Sequence, residues 1–345
     1  ELMNFSDVSY KSFVKSESEI ITLFYDKFAD IPLLSRMDAV AETFIDEIET
    51  LLNRDLPEEE RIPLIEKFRK MYETMDFYVL YNRFLKKEGY QTLPRRPLEK
   101  RKLRYEDVYP ILYLKYRLSR QAERSNIKHL VIDEMQDYSL LQYLIIRRMF
   151  SCKMTILGDR AQTMADQQQD VLQFLPGIFG KDLRRIEMRK SYRNTVEIAS
   201  YAANLIGVTD LELFERHGMP VLERDVTDLE AALREAVDTL LPDEKTYETA
   251  AVIVPDEKTA ERAYLILRGI LAEKDFDCGK RLSWLNRDSS SFKKGLTVTT
   301  FYLAKGLEFD QVFSIFPKDE KREIMMQAQY IAATRALHEL RVYHI

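Results

Sequence analysis

The stretch LVIDEMQD, residues 130–137, is an apolar run of the kind that forms a buried strand, and it ends in the paired carboxylates Asp133 and Glu134. In a parallel α/β sheet, ligands collect at the carboxyl ends of the strands. Two adjacent acids at such a place can hold a hydrated Mg2+ and orient an attacking water on a nucleotide γ-phosphate. The same pattern also occurs at solvated turns and helix starts, so the downstream segments of the chain decide between the two.

A helix-like stretch runs on to about Phe150. A second short apolar strand, MTILGD, then ends at Gly158 and Asp159, with Gln162 just beyond. Glycine suits a tight exit from a strand. The neutral amide of Gln162 can sense a terminal phosphate or a water, or can simply occupy a surface turn. Residues 188–193, MRKSYR, place Tyr192 beside Arg193, an aromatic face that can stack a purine next to a guanidinium with fixed donors for phosphate oxygens. Further on, LTVTTFYLAKGLEFDQVFSIF (296–316) carries Lys305, Gly306 and Glu308 in a loop between two strand-like runs. Finally QYIAATRALHEL (329–340) carries Thr334 and Arg335 within a helical pattern.

Five such segments in this order resemble motifs II to VI of the UvrD/Rep group of superfamily 1 helicases. The wording of DEMQDYS, KSYRN, YLAKGLEFD and TRALHEL is most similar to the HelD-like, helicase IV-related branch, which includes members acting on RNA polymerase. The resemblance implies a set of roles. Asp133 would bind Mg2+, and Glu134, beside the metal, would be the general base or water-positioning acid. Gln162 would link the γ-phosphate to the nucleic-acid track, and Tyr192 would stack on adenine. Arg193 and Arg335 would reach the γ-phosphate and neutralise charge developing in the transition state. Glu308 would lie near the ribose and phosphates, while Lys305 and Gly306 belong to a loop coupling the two sites. ATP and Mg2+ are the implied cofactors, and single-stranded DNA the implied partner.

Two departures from that pattern stand out. The chain contains no GxxxxGK[ST]: its GK pairs, Gly180-Lys181 and Gly279-Lys280, lack the upstream glycine and the following hydroxyl residue. That loop supplies the amides and lysine that cradle phosphates. Tight ATP binding by this chain alone is therefore not expected. A fragment that begins after the nucleotide-binding strand is the expected explanation, with a P-loop-less pseudo-enzyme as the alternative. The second departure is the run TMADQQQD (163–170), where the family often places a base-stacking tryptophan.

With 345 residues, 46% hydrophobic and 32% charged, the composition is that of globular domains, and the length suits about two of them. No run approaches the roughly 20 apolar residues that span a bilayer, and no signal-peptide pattern starts the chain, so a cytoplasmic, monomeric protein is expected. Cys152 and Cys278 lack metal-type spacing and read as reduced thiols. The net charge of −5 does not exclude a polyanion partner, because binding depends on where cations cluster. They cluster at Arg95, Arg96, Lys100, Arg101, Lys102 and Arg104, which read as a phosphate-backbone contact or as a solvated interdomain linker. A smaller group is Arg184, Arg185, Arg189 and Lys190.

The predicted fold is α/β: RecA-like P-loop NTPase motor domains, with parallel sheets flanked by helices, and an N-terminal helical insertion. Residues 1–96 read as the insertion. There Met37, Val40, Ala41, Phe44, Ile45, Ile48, Leu51 and Leu52 recur at helical spacing, with Ser35 and Asp38 as a possible cap. Residues 55–60 read as a polar break and a further helix runs through Tyr81. Residues 97–185 read as the C-terminal half of a first RecA-like domain, and 186–345 as a second. Only about a hundred residues separate Arg193 from the AKG segment, which leaves no room for a large accessory domain. The expected function is the C-terminal part of an ATP-dependent DNA helicase or translocase moving on single-stranded DNA, 3′ to 5′. The alternatives are a HelD-like ATPase that remodels or releases RNA polymerase, and a non-catalytic protein-binding scaffold.

Overall fold

The computed structural model describes residues 2–119, 126–159, 162, 171–188, 190–208, 212–243, 247–274, 277–289, 294–318 and 323–345. The chain forms two compact units. One comprises Glu1–Gly158 and Val171–Asp182, the other Asp159–Asp170 and Leu183–Ile345.

The first unit opens with an antiparallel hairpin, β1 (Val8–Tyr10) and β2 (Phe13–Lys15), inside the region predicted to be helical. Lys11 turns it with φ +52°. Helix α1 (Glu17–Thr22) starts at a capping box in which Ser16 and Glu19 satisfy each other's backbone N–H groups. Helix α2 (Arg36–Leu52) follows the apolar periodicity, with Met37, Val40, Ala41, Phe44, Ile45 and Ile48 buried. Its predicted cap is not formed: the Ser35 side chain makes no capping hydrogen bond, and Asp38 instead takes a bidentate contact from Arg69 at 2.7 and 3.0 Å. Leu51 is 71% exposed, because it lies off the stripe that meets Phe24, Leu64 and Phe68.

The single helix predicted through Tyr81 is two helices, α3 (Glu58–Arg69) and α4 (Phe77–Lys87). Between them Asp76 leaves the helical backbone and its carboxylate caps α4 at the Tyr78 N–H, 2.9 Å. Helix α5 (Tyr105–Leu118) packs on α4 through a small core of Tyr78, Tyr81, Leu85, Ile111 and Leu114.

Next comes a β–α–β unit: β3 (His129–Ile132), α6 (Leu140–Met149) and β4 (Lys153–Ile156), the two strands parallel and in register from His129↔Lys153 to Ile132↔Ile156. Helix α7 (Val171–Phe179) completes the unit. Strand β3 is less buried than its apolar sequence predicts. Side chains alternate between faces, so Ile132 points inward while Val131 is 60% exposed beside Thr155. The pair is covered on one face only among the described residues.

At the exit of β4, Gly158 meets the turn after β3. A Cβ there would run into Met135 Cγ and lie 2.7 Å from the Met135 backbone nitrogen. Gly158→Ala is therefore expected to destabilise the first unit by roughly 1–3 kcal/mol, the usual cost of overpacking. The check is circular dichroism during urea unfolding. An unchanged midpoint would mean the two turns are not packed as described.

The second unit contains β5 (Lys190–Ser191), α8 (Val196–Ile206), β6 (Glu212–Leu213), β7 (Leu222–Asp225), α9 (Leu229–Asp243), β8 (Thr249–Val254), α10 (Glu257–Glu273), α11 (Cys278–Arg281), β9 (Leu282–Trp284), β10 (Gly295–Thr300), β11 (Phe309–Phe316), α12 (Glu323–Ala333) and β12 (Ala336–His344). Six strands form one wholly parallel sheet in the order β7-β12-β11-β8-β10-β9. Strands β8 and β11, buried along nearly their whole length, occupy its centre, as expected of strands covered on both faces. Val252 and Val254 face α9 and α10, whereas Ala251 and Ile253 face α8 and α12, so each face of the sheet has its own helical layer. The α/β class, with a parallel sheet flanked by helices and a mainly helical N-terminal region, agrees with the sequence reading.

One element differs. Thr334 and Arg335 are not inside a helix: α12 stops at Ala333, and Ala336 already begins β12. Pairing on both sides, with β11 and β7, and burial of Leu340, Val342 and Tyr343 override the local helical pattern.

Helix α8 carries an acid-sensitive contact. Glu197 accepts from His217 Nδ1 and from the Gly218 N–H, both at 2.9 Å. The histidine first, and the backbone donors after it, hold the Glu197 carboxyl down at about 2, against an ordinary 4.5. A carboxyl depressed in the folded state contributes stability above its unfolded pKa, and that contribution is lost as pH falls toward the folded value. Unfolding titrations between pH 5 and 2 should therefore show a shallower acid loss in Glu197→Gln than in the parent chain. Identical acid limbs would refute the contact.

Candidate nucleotide-binding residues

The first unit positions the paired acids at the end of β3, where the chain leaves the sheet. Asp133 accepts from the Glu134 N–H at 2.8 Å, and Glu134 adopts a left-handed backbone, φ +52° and ψ +51°. Few non-glycine residues hold this conformation, and it persists only where surroundings enforce it. Here they do. The Met135 N–H bonds to the Leu157 carbonyl at 2.8 Å, Tyr143 donates to the Met135 carbonyl at 3.1 Å, and the buried Gln136 donates to Glu134 Oε2 at 2.6 Å. Both acids thus leave the strand from a turn braced by β4 and α6.

In the second unit, sequence-distant residues come together around the α12–β12 turn. Arg335 is 1% exposed. Its guanidinium donates to the Ile331 carbonyl (3.2 Å), the Leu307 carbonyl (3.4 Å), Thr334 Oγ1 (3.1 Å) and Gln162 Oε1 (3.3 Å). Gln162 in turn donates to Asp159 Oδ2 at 2.9 Å, and Tyr330 donates to the same oxygen at 3.3 Å. Burial, with the Asp159 charge second, pushes the Tyr330 phenol well above its usual range, so it stays protonated as a donor. Four of the five N–H donors of the guanidinium are thus directed to protein acceptors.

Arg193 lies at the surface, its Nε 2.6 Å from Glu308 Oε1. Both side chains are close to half exposed, so the pair contributes about 0–1 kcal/mol. Glu308 lies just past the turn after β10, where Gly306 takes φ +81° next to Lys305. Tyr192 is exposed, 5.6 Å from the ring of Phe214, with Lys190 Nζ over both rings.

Two residues not identified from the sequence fasten these loops. Asn194 is buried and its amide donates to the carbonyls of Thr334 (3.2 Å) and Ala336 (2.7 Å), one on each side of Arg335. Arg216 donates to the carbonyls of Arg193 and Leu337. Asn194 could have been suspected from its place directly after Tyr192 and Arg193. Arg216 carries no local signal. Arg189 and the 163–170 run lie outside the described residues.

Residues 6–164 match the family described as the UvrD/REP helicase N-terminal domain, a segment containing Asp133, Glu134 and Gln162. No curated protein matches the chain. Among solved structures, the chain is 24% identical to the C-terminal domain of a possible DNA helicase from Lactobacillus plantarum WCFS1, covering 45% of this chain and 88% of that one, with a TM-score of 0.35. It is 16% identical to the PRRSV helicase, covering 63% of this chain and 35% of that one, with a TM-score of 0.35. It is 13% identical to an Arterivirus nonstructural protein 10 (helicase) solved with DNA, covering 77% and 51%, with a TM-score of 0.34. The chain thus spans about a third to a half of the two viral helicases. No helix among the described residues is long and apolar enough to cross a membrane.

Proposed function

We propose that this chain belongs to an ATP-dependent DNA helicase or translocase that couples hydrolysis to movement on single-stranded DNA, 3′ to 5′. The observation that carries the reading is the family match over residues 6–164, which includes both acids of β3 and Gln162. Residues 97–185 and 186–345 are assigned to the first and second motor domains, and 1–96 to the insertion.

Asp133 and Glu134 fit a Mg2+ site, since a hard cation that keeps its waters and takes substrate phosphates needs only one or two carboxylates from the protein. ATP, when bound, supplies the transferable γ-phosphoryl group. Asp133 would hold the cation, and Glu134 would orient the attacking water and take its proton. Tyr192, exposed beside Phe214, stacks the adenine, and Glu308 orients Arg193 near the ribose and phosphates. Arg193 and Arg335 balance the charge that develops on the phosphoryl group. Gln162, bonded to Arg335, passes the state of that group on to the strand-binding track, together with Lys305 and Gly306.

The test is hydrolysis and strand displacement by the intact protein, with 3′-tailed and 5′-tailed duplexes. Hydrolysis stimulated by single-stranded DNA, with release from the 3′-tailed duplex, is expected. Absence of any nucleotide hydrolysis would reduce the motifs to a scaffold. The short interval between Arg193 and Lys305, about a hundred residues, supports a second reading, the HelD-like branch and an ATPase that releases RNA polymerase. ATP-dependent displacement of polymerase from a template without strand separation would select it.

A further inference from the structure

Between Lys86 and Arg104 the chain carries eight cations against two acids, Glu88 and Glu99, in a protein whose net charge is −5. This segment joins α4 to α5 with only one short turn of helix, Leu98–Lys100, yet it is firmly tied down. Asn82 exchanges two hydrogen bonds with the Leu93 backbone, at 2.7 and 3.2 Å. Tyr78 donates to the Pro94 carbonyl at 2.6 Å. Arg101 pairs with Asp76 at 2.7 Å, covers the Tyr78 ring, and donates to the Arg96 carbonyl at 3.0 Å. Pro94 and Pro97 remove backbone donors and hold their preceding residues extended. Arg104 is committed to Asp107, which also accepts from Tyr81.

The anchoring consumes Arg101 and Arg104 and leaves the others outward. Lys86, Lys87, Arg95, Arg96, Lys100 and Lys102 make no ion pair among the described residues. Large apolar side chains are interleaved with them: Tyr90 is 65% exposed, Leu98 74% and Tyr105 75%. A chain that fixes an extended, exposed strap at the cost of its conformational entropy, and presents a cluster of cations bracketed by the exposed rings of Tyr90 and Tyr105, matches the chemistry of a single strand with its phosphates and unstacked bases. A duplex offers phosphates but no free base faces, and an acidic protein offers charge without the stacking.

We propose that residues 86–105 form a binding strap for single-stranded nucleic acid, with Arg95, Arg96, Lys100 and Lys102 on the phosphates and Tyr90 and Tyr105 stacking on bases. The proposal extends the motor reading by naming a strand contact outside the motor motifs, but its test needs no nucleotide.

Fluorescence anisotropy of labelled oligo(dT) and oligo(rU) with the full chain, across a salt series, measures it. The variant Arg95→Ala/Arg96→Ala/Lys100→Ala removes exposed cations without an ion pair among the described residues, and should weaken binding tenfold or more at about 100 mM salt. It should also reduce the slope of log K against log salt by about 2, since each single-strand phosphate contact accounts for about 0.7. Tyr90→Ala with Tyr105→Ala should weaken binding at an unchanged slope. Loss on both polymers, or on either alone, supports the strap and tells DNA from RNA. An unchanged slope in the triple variant overturns it, as does poly-glutamate binding as tightly as oligo(dT), or duplex binding as tightly as single strand. The binding is measured without nucleotide, so a failed ATPase and a failed strap are separate results.

Discussion

Glu134→Gln in the intact protein is expected to lower ATP turnover by about 10²–10⁴-fold while leaving nucleotide binding in place. That is the range over which a positioned general base contributes. The substitution isolates the chemistry because the fold around it is over-determined. The left-handed turn at Glu134 depends on the Met135–Leu157 and Tyr143–Met135 bonds, neither of which involves the glutamate side chain. The amide oxygen of the replacement can still accept from Gln136, which lies 2.6 Å from Glu134 Oε2. Size and backbone demands are thus unchanged, and only the ability to take a proton is lost. Turnover by single-turnover phosphate release, and binding by a fluorescent nucleotide, separate the two quantities. Unchanged turnover would remove Glu134 from the catalytic role.

Arg335→Ala is expected to cost the second unit roughly 3–5 kcal/mol, the range for truncating one member of a buried charged network. At 1% exposure the guanidinium fills space that alanine leaves empty, and four acceptors lose a donor at once: two backbone carbonyls, Thr334 Oγ1 and Gln162 Oε1. Arg335→Lys should recover only part of that loss, because one ammonium cannot reach acceptors spread around a planar fork. The single tryptophan, Trp284, lies in β9 of the second unit, so its fluorescence during urea unfolding reports on this unit selectively. A loss below about 1 kcal/mol in the alanine variant would mean Arg335 is not held inside as described. The buried position also bears on the motor reading. With four of its five N–H donors directed to Ile331, Leu307, Thr334 and Gln162, Arg335 is coupled to Gln162 in any turn toward a phosphate.

Much of the architecture is legible in the sequence because it is written within windows of a few residues. The run TAAVIV is continuously apolar, GLTVTT and FDQVFSIF are rich in β-branched and aromatic residues, and all three form buried strands of the parallel sheet. The three- and four-residue spacing from Met37 to Ile48 gives α2, and EKTAERAYLILRGILAE gives α10. The strand, helix and strand from His129 to Ile156 arise from two apolar runs separated by a helical one. The acids Asp133 and Glu134 stand out for the same reason, as polar residues closing an apolar strand.

What only the tertiary structure decided depends on partners far away along the chain. ALHEL has a helical pattern in isolation, but strands β7 and β11 on either side make it a strand. The hairpin at residues 8–15, the break before α4 and the half-exposed face of β3 each depend on which surfaces are covered, which a local pattern does not contain. Asn194 and Arg216 bond to carbonyls more than a hundred residues away, and Arg335 meets Gln162 across a similar interval. Periodicity is a property of neighbours in sequence, whereas a buried hydrogen bond is satisfied by whichever group the fold brings near, and so the chain alone specified its strongly patterned elements but not the hairpin, the last strand or the partners of its arginines.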